Sequence, residues 1–210
     1  CLVGSEMCIR DRPRSFYTMT IRQKEKIRNA VLYFVTHDKT VGLPKLMKLL
    51  FYLDFRTLKA KGRDVTGLTY RTWEHGPVPV DVWREMKNHG NSLNLSSVVR
   101  AIPLVTERRD EPAGVRLRAV QGAKFSDQYF SPAELKELHH VSEMFKGLPA
   151  GKVVEASHGR KELWFRVLEK KGADQPIDPE LAISDPERLE EYRAHQEDKK
   201  FLDSVFGAYA

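Results

Sequence analysis

The chain has only two cysteines among its 210 residues, Cys1 and Cys8, and both lie at its very start. Because the rest of the chain is free of cysteine, the sequence excludes a thiol nucleophile, a disulfide and a cysteine-ligated zinc site from the body of the protein. No apolar run approaches the roughly 18 residues that a helix needs to cross a bilayer. Residues 1–18 also lack the continuous apolar stretch of a secretory signal. We therefore expect a cytoplasmic protein that makes no membrane contact.

The opening residues, CLVGSEMCIRDR, differ in character from the remainder of the chain. They resemble the peptide obtained when sequencing-adapter DNA is translated. We therefore expect a non-native leader over residues 1–18, with Met19 as the true start, and exclude it from the fold prediction. The whole chain is 41% apolar and 30% charged, which suits one globular domain with a sizeable core.

The formal net charge of +6 is unevenly distributed, because residues 19–63 are basic whereas residues 178–198 are acidic. A basic body is compatible with nucleic acid or an acidic protein surface as a partner. We favour the simpler interpretation that most of these cations lie on solvated helix faces. The basic residues of the first region are Arg22, Lys24, Lys26, Arg28, Lys45, Lys48, Arg56, Lys59, Lys61 and Arg63.

The chain lacks the short motifs of the common hydrolases and nucleotide-binding enzymes: HExxH, G-x-S-x-G and the P-loop are all absent. His139 and His140 are adjacent, so on a helix they point about 100° apart and are poorly placed to share a metal ion. We therefore predict a protein that is not an enzyme and has no catalytic residue, metal or cofactor. A hydrolase that uses Glu74 with His75 or His158 is the least favoured alternative.

Two amphipathic patterns open the domain. Apolar residues recur at helical spacing over residues 20–37 and predict a first helix. Pro44 then suits the first turn of a second helix, since its missing N–H costs nothing there, and Gly62 suits its C-terminal cap. The second helix is apolar around well over half of its circumference, which predicts a central position in the core.

An alternating pattern over Leu68–Glu74 predicts a strand. The following Gly76–Pro79 segment lacks two N–H donors, so we expect a stiff extended crossing outside any strand ladder. A short helix over residues 79–88 should then bury Val80, Trp83 and Met86.

The second half of the chain predicts a hairpin and several helices. Residues 102–107 and 115–120 should pair, and Ser131-Pro132-Ala133-Glu134 should form a capping box at the start of a helix. Short helices should follow over residues 150–158 and 161–171. The expected fold is α+β and mainly helical, with one domain over residues 19–172. Residues 173–210 should form a linker and an acidic C-terminal helix.

The two helices separated by Gly159, over residues 150–171, resemble a helix-turn-helix. Basic side chains on the second helix would suit contacts with phosphate, so a DNA-binding regulator is the main alternative function. Against it, Leu163, Trp164 and Val167 suit packing of the same helix into the core.

Several segments together resemble the Panacea domain family, which comprises SocA-like antitoxins and phage-associated GepA-like proteins. The resemblance rests on KLMKLLFY at Lys45–Tyr52 and TWEHGPV at Thr72–Val78. Phe125-Ser126 with the helix from Ser131, and Ala156-Ser157-His158 followed by Trp164, fit the second half of the family pattern. The resemblance covers residues 27–168.

This resemblance implies an antitoxin that neutralises a protein toxin encoded nearby by direct contact. It also implies, as a further possibility, an adaptor that delivers the toxin to a cytoplasmic protease. The aromatic residues and the Trp-Glu-His-Gly-Pro-Val stretch are the expected partner contacts, although Gly76 and Pro77 also suit a purely conformational role. The predicted contact residues are Tyr70, Trp73, Glu74, His75, Gly76, Pro77, Val78, Trp83, His158 and Trp164.

Overall fold

The computed structural model describes residues 19–87, 90–104, 114–157 and 163–206. These residues form seven α-helices and two antiparallel two-stranded sheets, which confirms the mainly helical α+β class. No helix among them is long and apolar enough to cross a membrane. The helices are α1 (Ile21–His37), α2 (Leu43–Lys61), α3 (Val80–Met86), α4 (Pro132–Phe145), α5 (Ala150–Ser157), α6 (Leu163–Lys171) and α7 (Pro186–Phe206). The strands are β1 (Tyr70–Trp73), β2 (Gly76–Pro79), β3 (Val99–Pro103) and β4 (Val115–Ala119).

The helix ends follow local capping chemistry. Gly62 takes a φ of 64° at the end of α2 and donates its N–H to the Leu58 oxygen at 2.8 Å. A Cβ at this glycine would lie 2.9 Å from the Arg188 oxygen, so α7 packs closely against this end of α2. At the start of α4, Ser131 and Glu134 form the reciprocal capping box. Both of these predicted caps are confirmed.

Helix α2 is the centre of the domain, because 12 of its 19 residues are buried and α1, α4, α5 and β2 all pack against it. Its buried set includes three charged side chains, Lys45, Lys48 and Asp54. For the two lysines, the expectation of a solvated helix face is therefore wrong. Such buried charges need partners, and the partners determine what each charge does.

Asp54 fixes the path of the chain from α2 to β1. Its carboxylate accepts hydrogen bonds from the amides of Val65 at 3.0 Å and Thr66 at 2.7 Å, and from the Tyr70 hydroxyl at 2.7 Å. Only 1% of Asp54 is exposed. These bonds hold the first residue of β1 against the central helix, because a buried carboxylate without donors would be costly.

Strands β1 and β2 form a hairpin whose two turn residues are Glu74 and His75. The expectation that Gly76–Pro79 stays outside a strand ladder is therefore wrong, since all four residues pair with β1. Gly76 has a φ of 102°, in the left-handed region that favours glycine, directly after the turn. The stiff segment is thus one arm of a hairpin.

The two prolines fit this ladder because of their register. Pro77 and Pro79 lie opposite Thr72 and Tyr70. The Thr72 N–H and the Tyr70 oxygen point the other way, toward residues 174–177, which bond to them at 2.9 Å each. The Thr72–Pro77 and Tyr70–Pro79 pairs are therefore the non-hydrogen-bonded pairs of the hairpin. A proline at such a position removes no hydrogen bond from the ladder.

The region after residue 173, predicted as a linker and an acidic helix, supplies side chains to the common core. Ile177, Ile183 and Tyr192 are each less than 10% exposed and belong to the main hydrophobic cluster. Residues 174–177 run along the outer edge of β1. This region therefore helps to hold the hairpin in place.

The face of α3 that is buried differs from the expected one. Val82 and Glu85 are buried, whereas Val80, Trp83 and Met86 are only half-buried. Glu85 turns inward because its carboxylate accepts from the amides of the loop at residues 93–95. That orientation leaves Trp83 and Met86 facing a groove, which corrects the prediction that they are core residues.

Strands β3 and β4 form the second predicted hairpin, with Val99 opposite Ala119 and Pro103 opposite Val115. Strand β3 begins three residues earlier than expected, and the predicted turn lies partly outside the described residues. The Leu117 N–H donates to the Val41 oxygen at 2.9 Å, which attaches this hairpin just before α2.

Candidate functional site

Five of the predicted contact residues line a single groove. They are Trp73, Glu74, His75, Val78 and Trp83. The groove has a volume of about 680 Å³, and its walls are mainly apolar. It is formed by the first turns of α2, the β1–β2 hairpin, α3 and the β3–β4 hairpin. Its size is that of a pocket for a small molecule or a few side chains of another protein.

The other five predicted residues do not line this groove. Tyr70 is buried, and its hydroxyl binds the α2 carboxylate described above. Trp164 is 3% exposed, and Gly76 and Pro77 are buried within β2. His158 lies outside the described residues. Tyr70, Gly76 and Pro77 belong to the hairpin that carries Trp73, and Trp164 donates to the backbone of that hairpin.

Two tryptophans form one wall of the groove. The rings of Trp73 and Trp83 meet edge to face, with centroids 4.8 Å apart and an interplanar angle of 78°. The Trp73 Nε1 donates to the Asp174 carboxylate at 3.0 Å, and Arg71 Nε donates to the same oxygen at 2.7 Å. The hydrogen bond from Arg71 lowers the pKa of Asp174, so the carboxylate is charged and holds the indole in one orientation.

The hairpin is braced from behind by α6 and the residues after it. Trp164 Nε1 donates to the Trp73 oxygen at 3.2 Å, and the Thr72 hydroxyl donates to the Gly172 oxygen at 3.0 Å. These bonds join the hairpin to a separate part of the chain. The groove wall is therefore held in position by hydrogen bonds within the chain itself.

Lys48 forms the floor of the groove, and sequence reasoning missed it. Its side chain is 2% exposed, and its Nζ donates to the Pro77 oxygen at 3.0 Å. That oxygen is available because Pro77 is in a non-hydrogen-bonded pair and turns its carbonyl away from β1. Burial lowers the pKa of Lys48 to about 7, because the charged ammonium is poorly solvated.

Lys45, one turn earlier on α2, is held very differently. Its Nζ donates to the Asp38 carboxylate at 2.7 Å, to the Thr40 hydroxyl at 2.9 Å, and to the oxygens of Phe145 and Leu148 at 2.7 Å each. Burial alone would raise the pKa of Asp38, but the hydrogen bonds from Lys45 and Thr40 outweigh it and lower that pKa to about 2. This lysine ties α4 to α2, and it is not among the residues that line the groove.

A family model described as antitoxin SocA-like, Panacea domain, matches residues 46–165, which is more than half of the chain. The chain belongs to this family. The match of the Panacea domain begins in α2 and ends in α6, so it includes Lys48, the hairpin and both groove tryptophans. No curated protein and no solved structure gave a match.

The hydrolase hypothesis names Glu74, His75 and His158, of which the first two lie in the described part of the chain. Glu74 and His75 are exposed residues of the hairpin turn. Within the described ranges, no group of three or more histidine, cysteine, aspartate or glutamate side chains is placed to hold a metal ion.

The helix pair considered for DNA binding packs partly into the core. Leu163, Trp164 and Val167 of α6 are buried, as the sequence predicted. Arg166 and the two lysines that end α6 are exposed. The residues that join α5 to α6 lie outside the described part of the chain.

A signal for Lys48 was present in the sequence. Lys45 and Lys48 lie in the first turns of a helix that is apolar around well over half of its circumference, which makes a buried lysine a reasonable expectation there. Which lysine is paired could not be read from that pattern, because Asp38 and the Pro77 oxygen approach through tertiary folding.

Proposed function

We propose that this Panacea domain is an antitoxin that neutralises a partner toxin by direct protein–protein contact at the Trp73–Trp83 groove. The observation that carries the proposal is the groove itself: an apolar recess of about 680 Å³, walled by two fixed tryptophans, in a domain of the antitoxin family. Tryptophan is enriched among residues that dominate binding energy at interfaces.

The rigidity of the groove supports this role. Trp73 is oriented by a hydrogen bond to Asp174, and its backbone is held by Trp164. Binding to a surface that is already ordered avoids the entropic cost of fixing loops and side chains. We therefore infer a preformed docking surface, with the hairpin serving both as scaffold and as contact.

The proposed role is non-catalytic and needs no cofactor. A toxin held through an apolar interface is blocked as long as the complex lasts, so the relevant quantity is the dissociation rate. We also propose that the protein acts in the cytoplasm, where a toxin encoded nearby would be synthesised.

Co-expression with neighbouring genes tests the proposal. Each adjacent open reading frame would be induced in bacterial cells alone and together with this chain. We expect one product to arrest growth alone and to be harmless, and to co-purify, when this chain is present. If none of the adjacent products is toxic and rescued, the antitoxin role is wrong.

A substitution in the groove wall tests whether the toxin binds at the groove. Trp83→Ala should weaken the purified complex by about 30-fold or more, the effect typical of an interface hot spot. Met144→Ala is the matched control, since Met144 is an apolar side chain, 40% exposed, on α4. Trp83→Phe, which retains an aromatic ring, should lose less. Circular dichroism checks that each variant folds, and equal affinity for Trp83→Ala and Met144→Ala would place the interface elsewhere.

The fate of the bound toxin separates two modes of neutralisation. If this protein is an adaptor, the toxin should be degraded faster in its presence, and deletion of the responsible cytoplasmic protease should abolish rescue. If it sequesters the toxin, the toxin should accumulate in the complex and rescue should persist without the protease. A pulse-chase measurement distinguishes these outcomes.

A further inference from the structure

The floor of the groove has an unused capacity to donate hydrogen bonds. A lysine ammonium carries three N–H donors. The Pro77 oxygen accepts one of them at 3.0 Å. Lys48 is 2% exposed, so bulk water solvates its ammonium poorly. It lines the groove. The ammonium therefore has donors beyond the bond to Pro77 that a group entering the groove can accept.

The surroundings of Lys48 restrict the chemistry of such a group. Met47, Trp73, Trp83 and Met86 line the same groove and present apolar surface. An occupant without a charge would leave the ammonium buried and poorly compensated, whereas an occupant without apolar surface would leave the walls uncovered. The best match is a group that carries both an apolar body and an anion.

We propose that the groove receives a partner segment in which an aspartate or glutamate side chain, next to an apolar residue, places its carboxylate against Lys48 Nζ. This inference rests on the proposed function, because it identifies what the toxin presents to the groove. The formal net charge of +6 belongs to the whole chain, and at the groove floor itself the positive charge comes from Lys48. A carboxylate is also the group that most strongly accepts from an ammonium.

Proton uptake follows from this geometry. Lys48 in the free protein has a pKa of about 7, and a bound carboxylate raises it. Above pH 7 the free lysine must gain a proton on binding, so affinity should fall by up to about tenfold per pH unit. The other charged or titratable groups that line the groove are Glu74, His75, Lys87 and Asp174. His75→Gln is the control, because it removes the imidazole from the groove lining and leaves Lys48 in place.

Phenylacetate and phenylacetamide test the carboxylate directly, because they share one shape and differ in charge. Binding would be followed by NMR of the lysine Cε signals in the full chain. For ligands of this size we expect a dissociation constant of about 1–10 mM for phenylacetate and at least about tenfold weaker binding of the amide. In Lys48→Met this preference should disappear.

Each outcome of this experiment is decisive. Equal affinity for both compounds, failure of phenylacetate to shift the Lys48 signal, or an unchanged preference in Lys48→Met would overturn the carboxylate site. The decline in affinity above pH 7 should persist in His75→Gln and vanish in Lys48→Met. Loss of the decline in His75→Gln would assign it to the histidine instead.

The toxin complex distinguishes this inference from the proposed function. Lys48→Met should weaken the complex by about 10- to 100-fold, although the variant removes no aromatic contact. If Trp83→Ala abolishes rescue while Lys48→Met leaves the affinity intact, the antitoxin role stands and the carboxylate contact is wrong. If no toxin is found but phenylacetate binds as expected, the anion site stands and the antitoxin role is wrong.

Discussion

Lys45 and Lys48 lie one turn apart on α2, and both are buried, with exposed fractions of 0% and 2%. Four acceptors, one of them a carboxylate, lie within 2.9 Å of the Lys45 Nζ, whereas Lys48 has the Pro77 oxygen and the open groove. The comparison teaches that burial alone does not reveal the role of a charge. A charge surrounded by acceptors holds the fold together, while a charge with few acceptors beside a cavity is available for binding.

The largest expected effect comes from removing the paired lysine. Lys45→Met leaves the Asp38 carboxylate and the Phe145 and Leu148 oxygens buried without their donor. We expect the free energy of unfolding to fall by about 3–5 kcal/mol, the usual cost of breaking a buried ion pair. Urea unfolding at pH 7 measures this. A loss below about 1 kcal/mol would show that the cluster around Lys45 is not structural.

The same substitution one turn later, Lys48→Met, should have the opposite effect on the free energy of unfolding. Lys48→Met removes a poorly compensated buried ammonium and replaces it with an apolar side chain of similar length. We expect a gain of about 1–4 kcal/mol in the free energy of unfolding at pH 7. The two variants serve as matched controls for each other, since the helix, the side-chain change and the assay are identical. A loss of stability in Lys48→Met would remove the distinction between the two sites.

The next largest expected effect is the pH dependence of the stability that Lys48→Met gains. Lys48 has a pKa of about 7 in the folded chain and 10.5 ordinarily, so the unfolded chain binds more protons between these values. Wild-type stability therefore rises with pH in this window, whereas Lys48→Met lacks this contribution. The difference between the two proteins should shrink by up to about 1.4 kcal/mol per pH unit from pH 7 to pH 9. A constant difference would contradict the lowered pKa.

The smallest expected change is in the stability that Asp38, the carboxylate partner of Lys45, contributes at low pH. The pKa of Asp38 is lowered from 3.8 to about 2, so its charge contributes stability that is complete above pH 4. That contribution is lost as the pH falls through about 2. The stability difference between the wild type and Asp38→Asn should therefore narrow from pH 4 to pH 2, as measured by urea unfolding. If the gap is constant in this range, the carboxylate of Asp38 is not favoured by its hydrogen bonds.

Much of the fold could be predicted because it depends on local chemistry. The α1 and α2 periodicity, the Gly62 cap and the Ser131 capping box each involve residues within one or two helical turns. The β2 strand could not be predicted from the same reasoning. Its prolines are compatible with pairing because the turn at Glu74 and His75 sets a register in which both prolines fall in non-hydrogen-bonded pairs.

The candidate site was predicted in part. Trp73, Val78 and Trp83 could be found because aromatic residues beside a stiff segment are unusual, and they do share one groove. Lys48 was assigned to a solvated face because its neighbours along the chain do not reveal a carbonyl 29 residues away. The groove aromatics could be predicted because hydrophobic patterning depends on residues close together in the sequence. The partner of Lys48 could not, because the partners of a buried charge are brought to it by the tertiary fold.

The edge of β1 that faces away from β2 is covered by a part of the chain outside the family match. Residues 174–177 cover that edge, yet they follow the end of the family match at residue 165. Without these residues the backbone groups of Tyr70 and Thr72 would form an open strand edge, and such an edge can pair with strands of other molecules. The segment after residue 173 therefore protects the β1 edge from pairing with other strands, in addition to supplying side chains to the core.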